Sequence, residues 1–590
     1  MKLNDKFWCF LLLFLISTCL NAQSENEVIH DLALFEKNSS YIENWVDKPI
    51  FINLLSEEEL VDLGLFNEDE VRQILIKRKQ NQIKSISDFN FIKNKEKIEQ
   101  LKHLLVYDLR TPNQFQSKIT YTFNHDKEHY FYNKNSWQSK QVKMAFLTEK
   151  DPDDTHFPDL MKYSLHYRLT DPGNTGIQEI FTGSYSIQTA NSILFSASPF
   201  DNKRQNQSLN RAKITSNVNR SEYAYLNGLS AKLNLNKLLL IPFYSSSPIW
   251  IRKDSLNQIV SINKTGLHAD RDEEKDHVTA YGMIADMKFN SMVTGIQFLH
   301  QGYPCNFADH RIERIYQTFS QYSQMYYNPF LFRYELAYAK HKIASHTELS
   351  WQKEIFYCKT GYRQYPEYFP ENYGNPYSQR ADFRNEKGMY YLFNARFSRF
   401  KIEFQTDLFQ YSEPESNQSY SKRGNENYLK LNYSLSPQTE MMIKTLYRVS
   451  DVIYEQEMIQ LKRKSVSLSL IFKEQPFLTH QTTLHLLNDR YQNDTHDKNG
   501  IALLQKLQVI NKKLSISISN GVFKTKNSVY LPLYTQTDLI NSVSLNKSGY
   551  LIIVDASVKI QKNITLSSMV YMKNSDKKYD KIAFNLAYTN

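Results

Sequence analysis

The stretch YLKLNYSL at residues 428–435 alternates strictly between apolar and polar side chains. Successive side chains of a strand point to opposite sides, so Leu429 and Leu431 share one face while Lys430 and Asn432 share the other. The same period of two recurs from about residue 115 onward, as in SVSLSLIF (465–472), LSISIS (514–519) and IAFNLAYT (582–589). Strands with one apolar and one polar face are what a wall between lipid and a water-filled lumen requires.

The composition favours strands that meet a membrane. The chain of 590 residues carries 40 Tyr and 35 Phe but only 16 Gly. Aromatic residues are enriched in strands, and girdles of them mark both interfaces of transmembrane barrels. A soluble β-sandwich or propeller would also alternate, but it would not need this aromatic load, and a propeller would show glycine-rich repeats that are not found. The sequence therefore predicts a mainly β protein with a large antiparallel transmembrane β-barrel.

The connections between the predicted strands differ in length. Near the C-terminus they are short, whereas elsewhere they are long and polar, as in DPDDTHFPD (151–159), FDNKRQNQSLNRAK (200–213) and HADRDEEKDH (268–277). Short turns on one side and long loops on the other are typical of outer-membrane barrels. At about 25 residues per strand and connection, residues 111–590 predict about 18 strands.

The first 22 residues indicate secretion. Lys2 and Lys6 precede an apolar run at 7–20, and Ala22 is a small residue at a plausible cleavage point, which together predict a signal peptide over 1–22. The alternative is a lipoprotein signal that ends at Cys19. No later apolar run is long enough for a spanning helix. A secreted barrel predicts the outer membrane of a Gram-negative cell as the location and outer-membrane lipid as a partner.

Residues 23–110 predict a separate domain made of helices. In INLLSEEELVDLGLFNEDEVRQILIKRK (52–79), Ser56 can cap one helix and a second begins near Glu68, with apolar residues at helical spacing in both. The same arrangement recurs in SISDF (85–89) and KIEQLKHLL (97–105). We therefore expect a small all-α domain before the barrel, on its periplasmic side.

This segment resembles the tandem helix-hairpin-helix domain of the ComEA type. The positions that carry the resemblance are Ile52, Asn53, Arg78, Asp88 and Phe89. The resemblance implies binding of DNA through glycine-containing hairpin turns whose N–H groups hold a phosphate. Here LFN (65–67) and NKE (94–96) stand where those glycines are expected, so the phosphate seat is degenerate.

Charge argues in the same direction. Residues 23–70 contain 13 acidic and two basic residues, whereas residues 71–103 contain nine basic and three acidic residues. The acidic first half would repel DNA, since neutralisation of phosphates dominates such binding. DNA is thus a disfavoured partner, and an ordinary solvated helix face is the preferred interpretation of the basic residues. The nucleic-acid contacts that remain conceivable are Lys77, Arg78, Lys79, Lys84, Lys93, Lys95 and Lys97.

A second resemblance covers the start of the barrel. IQEIFTGSYSIQTANSILF (177–195) and RSEYAYLNGLSAKLNL (220–235) are similar to a group of Bacteroidota outer-membrane proteins that join a helix-hairpin-helix segment to a large barrel. The group has no established function. Gly183 and Tyr185 match its glycine-rich pattern, whereas Ala190 and Asn191 replace later glycines.

The sequence offers no sign of catalysis. It contains no GxSxG elbow, phosphate-binding loop or HExxH motif, which predicts that the protein is not an enzyme and needs no cofactor. Cys305 and Cys358 form no zinc motif. Acidic residues and histidines crowd one loop, but a polar extracellular loop has the same composition without metal, so no metal site is predicted; these residues are His268, Asp270, Asp272, Glu273, Glu274, Asp276 and His277.

Three functions are compatible with this organisation, and the sequence favours them in the following order. The first is a pore, transport or surface-binding barrel, with the degenerate helical domain as a plug or docking module. The second is DNA binding or uptake through the helical domain. The third is a structural or assembly role, with another envelope protein docked on that domain.

Overall fold

The structure is a computed structural model of the chain. It describes residues 50–53, 60, 68–80, 83–92, 105–106 and 114–589. The last range has gaps at 125–128, 140, 151–157, 159, 170–174, 190, 197–210, 222–224, 264–272, 354, 371–372, 380–383, 412–421, 437, 455–456, 476–477, 492–497, 511–513, 526–528, 533–541, 546–547, 562–563 and 574–580. The predicted signal peptide and the Cys19 alternative lie outside the described residues.

The described part of the N-terminal region forms a small unit with its own core. Its elements are β1 (Ile50–Phe51), α1 (Glu68–Gln80), a 3-10 helix (Ile86–Phe89) and β2 (Leu105–Val106), and β1 pairs with β2 in parallel. The buried apolar residues of this unit are Ile52, Leu60, Val71, Ile74, Ile83, Phe89 and Ile92.

Two polar side chains fix the turns of this unit. Asn53 donates from Nδ2 to the carbonyl of Ile83 at 2.7 Å, and its Oδ1 accepts from the N–H of Ile83 at 3.0 Å. Asp88 accepts from the N–H groups of Lys84 and Ser85 at 2.8 and 3.1 Å, as in the start of a capped helix. These backbone hydrogen bonds hold the pKa of Asp88 below its usual range.

Most of the chain forms strands. After β2 they run β3 (Gln114–Asn124), β4 (His129–Gln138), β5 (Val142–Lys150), β6 (Leu160–Arg168), β7 (Thr175–Gln188), β8 (Lys213–Ser216), β9 (Leu226–Leu235), β10 (Leu238–Lys253), β11 (Ile259–Asn263), β12 (Glu273–Lys288), β13 (Met292–Gly302), β14 (Ile315–Tyr327), β15 (Phe330–Ala339), β16 (Lys342–Lys353), β17 (Phe356–Tyr365), β18 (Glu386–Arg396), β19 (Phe400–Tyr411), β20 (Arg423–Ser434), β21 (Thr439–Tyr454), β22 (Glu457–Gln475), β23 (Leu478–Tyr491), β24 (Lys498–Ile510), β25 (Leu514–Thr525), β26 (Val529–Pro532), β27 (Ser542–Leu545), β28 (Ser548–Gln561), β29 (Ile564–Lys573) and β30 (Lys581–Thr589).

Within the described residues, 24 of these strands make one closed antiparallel barrel, because β30 pairs with β3. The short strands β8 and β11 pair with β7 and β10 outside the main circuit, and β26 pairs with β27 in a separate ribbon. No helix in the described residues is long and apolar enough to cross a bilayer.

The barrel wall has an apolar outer face and a polar inner face. On β15, Phe330, Leu336 and Tyr338 are 44–45% exposed, whereas the intervening Arg333 and Glu335 are at most 2% exposed. Large exposed apolar side chains facing away from the buried charges form the surface that a lipid bilayer needs. The alternation of residues 428–435 is confirmed: Leu429 lies opposite the exposed Phe404, and Lys430 lies opposite the buried Glu403.

The two ends of the barrel differ as predicted. The 11 connections at the end where β3 begins and β30 finishes contain two to six residues each. The connections at the other end include 189–225, 254–272, 303–314 and 366–385. We call these the short-turn end and the long-loop end.

Two parts of the predicted fold are wrong. The strand number is 24 and not about 18. The short turns of two to six residues reduce the average length of a strand with its connection to about 20 residues, below the expected value of about 25. The N-terminal unit is not all-α either. Its described residues include α1, the 3-10 helix and a parallel β pair, and Leu105, predicted to end the last helix, lies in the strand β2.

Candidate functional site: the barrel lumen

The connection between β7 and β9 leaves the long-loop end and folds back against the inner face of the wall. The fully buried carboxylate of Glu335 accepts hydrogen bonds from the N–H groups of Asn191, Ile193 and Leu194 at 3.0, 3.2 and 3.4 Å. Asn191 also donates from Nδ2 to the carbonyl of His346 at 2.8 Å. A buried carboxylate is costly unless donors surround it, so this interaction fixes residues 191–196, which we call the inner loop.

Glu335 belongs to a row of inward-facing positions that lie directly opposite one another on successive strands. The row consists of Asp286, Gly295, Tyr322, Glu335, His346 and Arg363. Asp286 accepts from Arg211 Nε at 2.7 Å, from the N–H of Ala212 at 2.7 Å and from the Tyr322 hydroxyl at 3.2 Å. One row of the wall therefore holds the β7–β9 connection at two places.

Gly295 makes room for this row. A Cβ atom at Gly295 would lie 2.6 Å from the ring of Tyr322, too close for any real contact. The absence of a side chain lets the Tyr322 ring lie over the neighbouring strand and reach Asp286.

A second long loop, between β17 and β18, pairs with the inner loop. Ser196 donates its N–H to the carbonyl of Tyr373 at 2.8 Å, and Asn375 donates its N–H to the carbonyl of Ser192 at 2.9 Å. A Cβ atom at Gly374 would lie 2.0 Å from the carbonyl oxygen of Ile193. Glycine is needed there because the two backbones approach so closely.

The second loop is also anchored to the wall by buried charges. Asp407 accepts from the Tyr377 hydroxyl at 2.9 Å and from Gln379 Nε2 at 2.6 Å, and Glu386 accepts from the N–H of Gln379 at 3.0 Å. Arg363 pairs with Glu386 at 2.5 Å and with Asp407 at 2.8 Å. Both loops thus depend on the same luminal network, and we call the inner faces of β7–β19 the packed sector.

The inner faces of β20–β25 are different, and we call them the open sector. Lys430, Lys444, Arg463, Ser465 and Ser467 point to the lumen and are partly exposed. Hydroxyl groups line two of these strands, at Ser465, Ser467 and Ser469 and at Ser515, Ser517 and Ser519. Partly exposed polar side chains on the inner wall are a surface along which a solute can move or bind.

Of the residues predicted to contact nucleic acid, those that the structure describes lie in the N-terminal unit and not in the barrel wall. Lys77, Arg78 and Lys79 lie in the last turns of α1, where Lys77 and Arg78 are partly buried, and Lys84 is exposed in the turn that follows. Lys93, Lys95 and Lys97 lie outside the described residues. Their contact with nucleic acid stays a prediction.

The acidic loop provides no metal centre in the part of the chain that the structure describes, since no group of three possible ligands occurs there. Asp276 lies on β12, and its carboxylate is bonded to Lys253 at 3.3 Å. His268, Asp270 and Asp272 lie outside the described residues. Cys305 and Cys358 are both free thiols.

The sequence interpretation missed the luminal anchors Asp286, Glu335 and Asp407. One signal was present in the sequence. In FLFRYELAYA (330–339), Arg333 and Glu335 are the charged residues of a strand that is otherwise mainly apolar, and both lie on the same face. A buried charge in such a position needs partners, which a neighbouring strand or a segment that enters the lumen can supply.

No protein-family model matches the chain, and no curated protein sequence matches it significantly. Among solved structures, it is similar to the copper transporter OprC, with 8% identity, a TM-score of 0.41 and coverage of 82% of this chain and 83% of that one. The FrpB iron transporter of Neisseria meningitidis gives 10% identity, a TM-score of 0.38 and coverage of 82% and 83%. The siderophore receptor PirA of Pseudomonas aeruginosa gives 7% identity, a TM-score of 0.36 and coverage of 82% of both chains. These likenesses concern fold alone.

Proposed function

We propose that this protein is an outer-membrane barrel that transports or binds a solute in its lumen, with the inner loop narrowing the passage. The observation that carries the proposal is the contrast between the two sectors. Inner-face residues of the packed sector, such as Glu335 and Arg363, are buried beneath loops from the long-loop end, whereas several polar inner-face residues of the open sector, among them Lys430, Lys444 and Ser467, are partly exposed. A lumen that served only as a structural core would be closed on all sides.

The test is the conductance of the purified full-length protein in planar lipid bilayers. We expect discrete channels in the wild type and larger ones in Glu335→Ala, which loses the acceptor that holds three N–H groups of the inner loop. Glu335→Gln keeps an acceptor oxygen and serves as the matched control, with conductance near that of the wild type. Absence of current in both the wild type and Glu335→Ala contradicts transport through the lumen and leaves solute binding to be measured directly.

The N-terminal unit is proposed to serve as a periplasmic docking module or plug. Support comes from the position of β3, which begins at the short-turn end, the end that faces the periplasm in outer-membrane barrels. The core around Ile74 and Phe89 and the Asn53–Ile83 hydrogen bonds give this unit an ordered surface. Cross-linking of the full-length protein in cells, with removal of residues 23–110 as the comparison, tests docking: loss of a cross-linked envelope protein is expected, and an unchanged pattern argues against it.

The relation to the Bacteroidota group and to ComEA-type modules remains part of this proposal. It is supported by the observed roles of matched residues, since Asn53 bridges to Ile83 and Asp88 caps the 3-10 helix. Gly183, also matched, has a φ of +87° at the place where β7 changes partners. DNA uptake is the disfavoured alternative, because the net acidic character of residues 23–70 opposes it.

A further inference from the structure

The two ends of the barrel differ in charge. Counted from the sequence, the 11 turns of the short-turn end, each taken with two residues of strand on either side, hold 12 basic and four acidic residues. The 12 connections of the long-loop end, counted in the same way, hold 29 basic and 29 acidic residues. The short-turn end therefore has an excess of eight basic residues, whereas the long-loop end is balanced. We call the short turns and their flanking residues the basic rim.

Several of the positive charges of the basic rim are open to solvent. Arg168 pairs with Glu179 of β7 at 3.4 Å, so this charge is offset from within the wall. The exposed basic residues of the described part of the rim are Lys143, Lys237, Lys353, Arg396, Arg399 and Lys401. The excess of positive charge is thus presented to whatever approaches the barrel from this end.

A polar cavity of about 270 Å³ opens at the basic rim, beside the turn between β18 and β19. Arg399 and Lys473 contribute positive charges to its lining, and Glu440 contributes a carboxylate that lies 3.8 Å from Lys473 Nζ. Arg396 and Lys401 lie directly opposite each other where that turn begins and ends. Four basic side chains against one carboxylate make this part of the rim suited to a surface with several negative charges.

A stretch with the complementary charge lies in the N-terminal unit. Residues 57–70 contain seven acidic and no basic residues, and the last three of them begin α1. Seven residues separate Val106, where β2 ends, from Gln114, where β3 begins, and a chain of that length spans at most about 28 Å. Because β3 begins at the short-turn end, the acidic stretch is tethered close to the basic rim. A short tether gives an effective concentration on the order of millimolar, so a weak attraction is enough to hold the two surfaces together.

We propose that the acidic stretch 57–70 docks on the basic rim of the same chain, so that the N-terminal unit covers the periplasmic mouth of the lumen. This inference rests on the proposed function, because it selects the plug among the roles proposed for that unit and names the surface that receives it. Complementary potentials steer two surfaces together and suppress wrong partners. Salt screens this attraction over about 8 Å at physiological ionic strength, so docking weakens as the salt concentration rises.

The experiment is cross-linking of the purified full-length protein in micelles with a carbodiimide, which joins a carboxylate directly to a lysine amine in contact with it. Peptide mass spectrometry should find bonds between residues 57–70 and lysines of the basic rim such as Lys401, with a lower yield at high salt. An equal mixture of isotopically labelled and unlabelled protein distinguishes bonds within one chain from bonds between copies.

Reversal of charge on the rim tests whether these bonds report docking. Arg396→Glu/Arg399→Glu should lower the yield about fivefold or more, because like charges then face the acidic stretch. The matched control is Arg252→Glu/Lys387→Glu, which reverses two exposed charges at the long-loop end and should leave the yield unchanged.

Reversal of charge on the acidic stretch supplies the rescue. Glu57→Lys/Glu58→Lys/Glu59→Lys alone should raise the channel conductance in planar bilayers, because the N-terminal unit then leaves the mouth of the lumen. Combined with Arg396→Glu/Arg399→Glu, it should restore the cross-links, since the two surfaces again have opposite charges.

Three outcomes overturn the inference. A wild type that conducts but forms no bond within one chain refutes docking and leaves the transport function intact. Bonds found only between copies make the acidic stretch a contact between molecules. Unchanged cross-links in Arg396→Glu/Arg399→Glu, together with loss of anionic phospholipid that co-purifies with the wild type, assign the rim to the periplasmic leaflet. By contrast, absence of current in the wild type and in Glu335→Ala refutes transport alone, because the cross-linking yield does not depend on current.

Discussion

At the scale of single residues, the carboxylate of Glu335 decides where the inner loop lies. It accepts from three backbone N–H groups of the loop and from Gln297 and Ser320 of the wall. Each hydrogen bond to a charged group contributes about 1.5–3 kcal/mol. The inner loop therefore has one dominant attachment, and other contacts supplement it.

We predict that Glu335→Ala releases the inner loop without unfolding the barrel. Loss of even one charge-assisted hydrogen bond corresponds to about tenfold faster opening. Hydrogen exchange of the full-length protein in micelles should show amides of residues 191–194 exchanging at least about tenfold faster, with β22 unchanged. The control is Leu336→Ala, because Leu336 follows Glu335 on β15 and faces the lipid. If residues 191–194 stay protected from hydrogen exchange in Glu335→Ala, other contacts hold the loop.

A second residue-scale prediction concerns the contact between the two loops. In Gly374→Ala, the new Cβ atom would lie 2.0 Å from the carbonyl oxygen of Ile193, so the backbones must separate. We expect faster hydrogen exchange in both residues 191–196 and 373–379. Faster exchange confined to 373–379 would mean that the inner loop does not depend on its partner.

At the scale of elements, the period of two predicted the strands, but the behaviour of β7 shows its limit. Up to Phe181 this strand alternates, whereas residues 183–187 are all buried. Gly183 has a φ of +87°, and beyond it β7 pairs with the short strand β8 and not with β6. A strand that leaves the wall for the lumen loses its exposed face, and this depends on tertiary contacts rather than on local pattern.

The 3-10 helix of the N-terminal unit should be sensitive to acid. The pKa of Asp88 is lowered by hydrogen bonds from the N–H groups of Lys84 and Ser85, so its folded pKa is below its unfolded value. The resulting stabilisation is complete above the unfolded pKa of about 3.9 and is lost as the pH falls through the folded pKa. Asp88→Asn should increase hydrogen exchange of residues 83–92 at pH 7, and this effect should diminish below about pH 4. An effect that does not vary with pH would mean that the charge of Asp88 contributes nothing and that hydrogen bonding alone caps the helix.

The basic end of α1 gives a prediction about DNA. The triple variant Lys77→Gln/Arg78→Gln/Lys79→Gln should bind duplex DNA no more weakly than the wild type, because residues 23–70 are acidic and Lys77 and Arg78 are partly buried. Titration of the full-length protein in micelles at low and moderate salt measures this. Salt-sensitive binding in the wild type that the triple variant loses would instead support nucleic-acid handling.

At the scale of the whole molecule, closure of the sheet explains both what the sequence predicted and what it could not. Alternation along strands such as β20 predicted a lipid-facing and a luminal side, since that property is local to each strand. The contents of the lumen depend on contacts between distant residues: Asn191 and Glu335 are 144 positions apart. The predicted strand number was wrong for a related reason, because turns of two or three residues, as at Asn236 between Leu235 and Leu238, do not interrupt the apolar pattern of the strands that they join.

The last prediction concerns the orientation of the barrel in the membrane. The long loops belong outside the cell if short turns face the periplasm. Leu256 is 76% exposed in a turn at the long-loop end, and Ser398 is exposed in a turn at the short-turn end. In a Cys305→Ser/Cys358→Ser background, a membrane-impermeant maleimide added to intact cells should label Leu256→Cys and spare Ser398→Cys, while both react after permeabilisation. The reverse labelling would mean that the barrel has the opposite orientation in the membrane. The start of β3 and the N-terminal unit would then be at the cell surface, and the inner loop would face the periplasm.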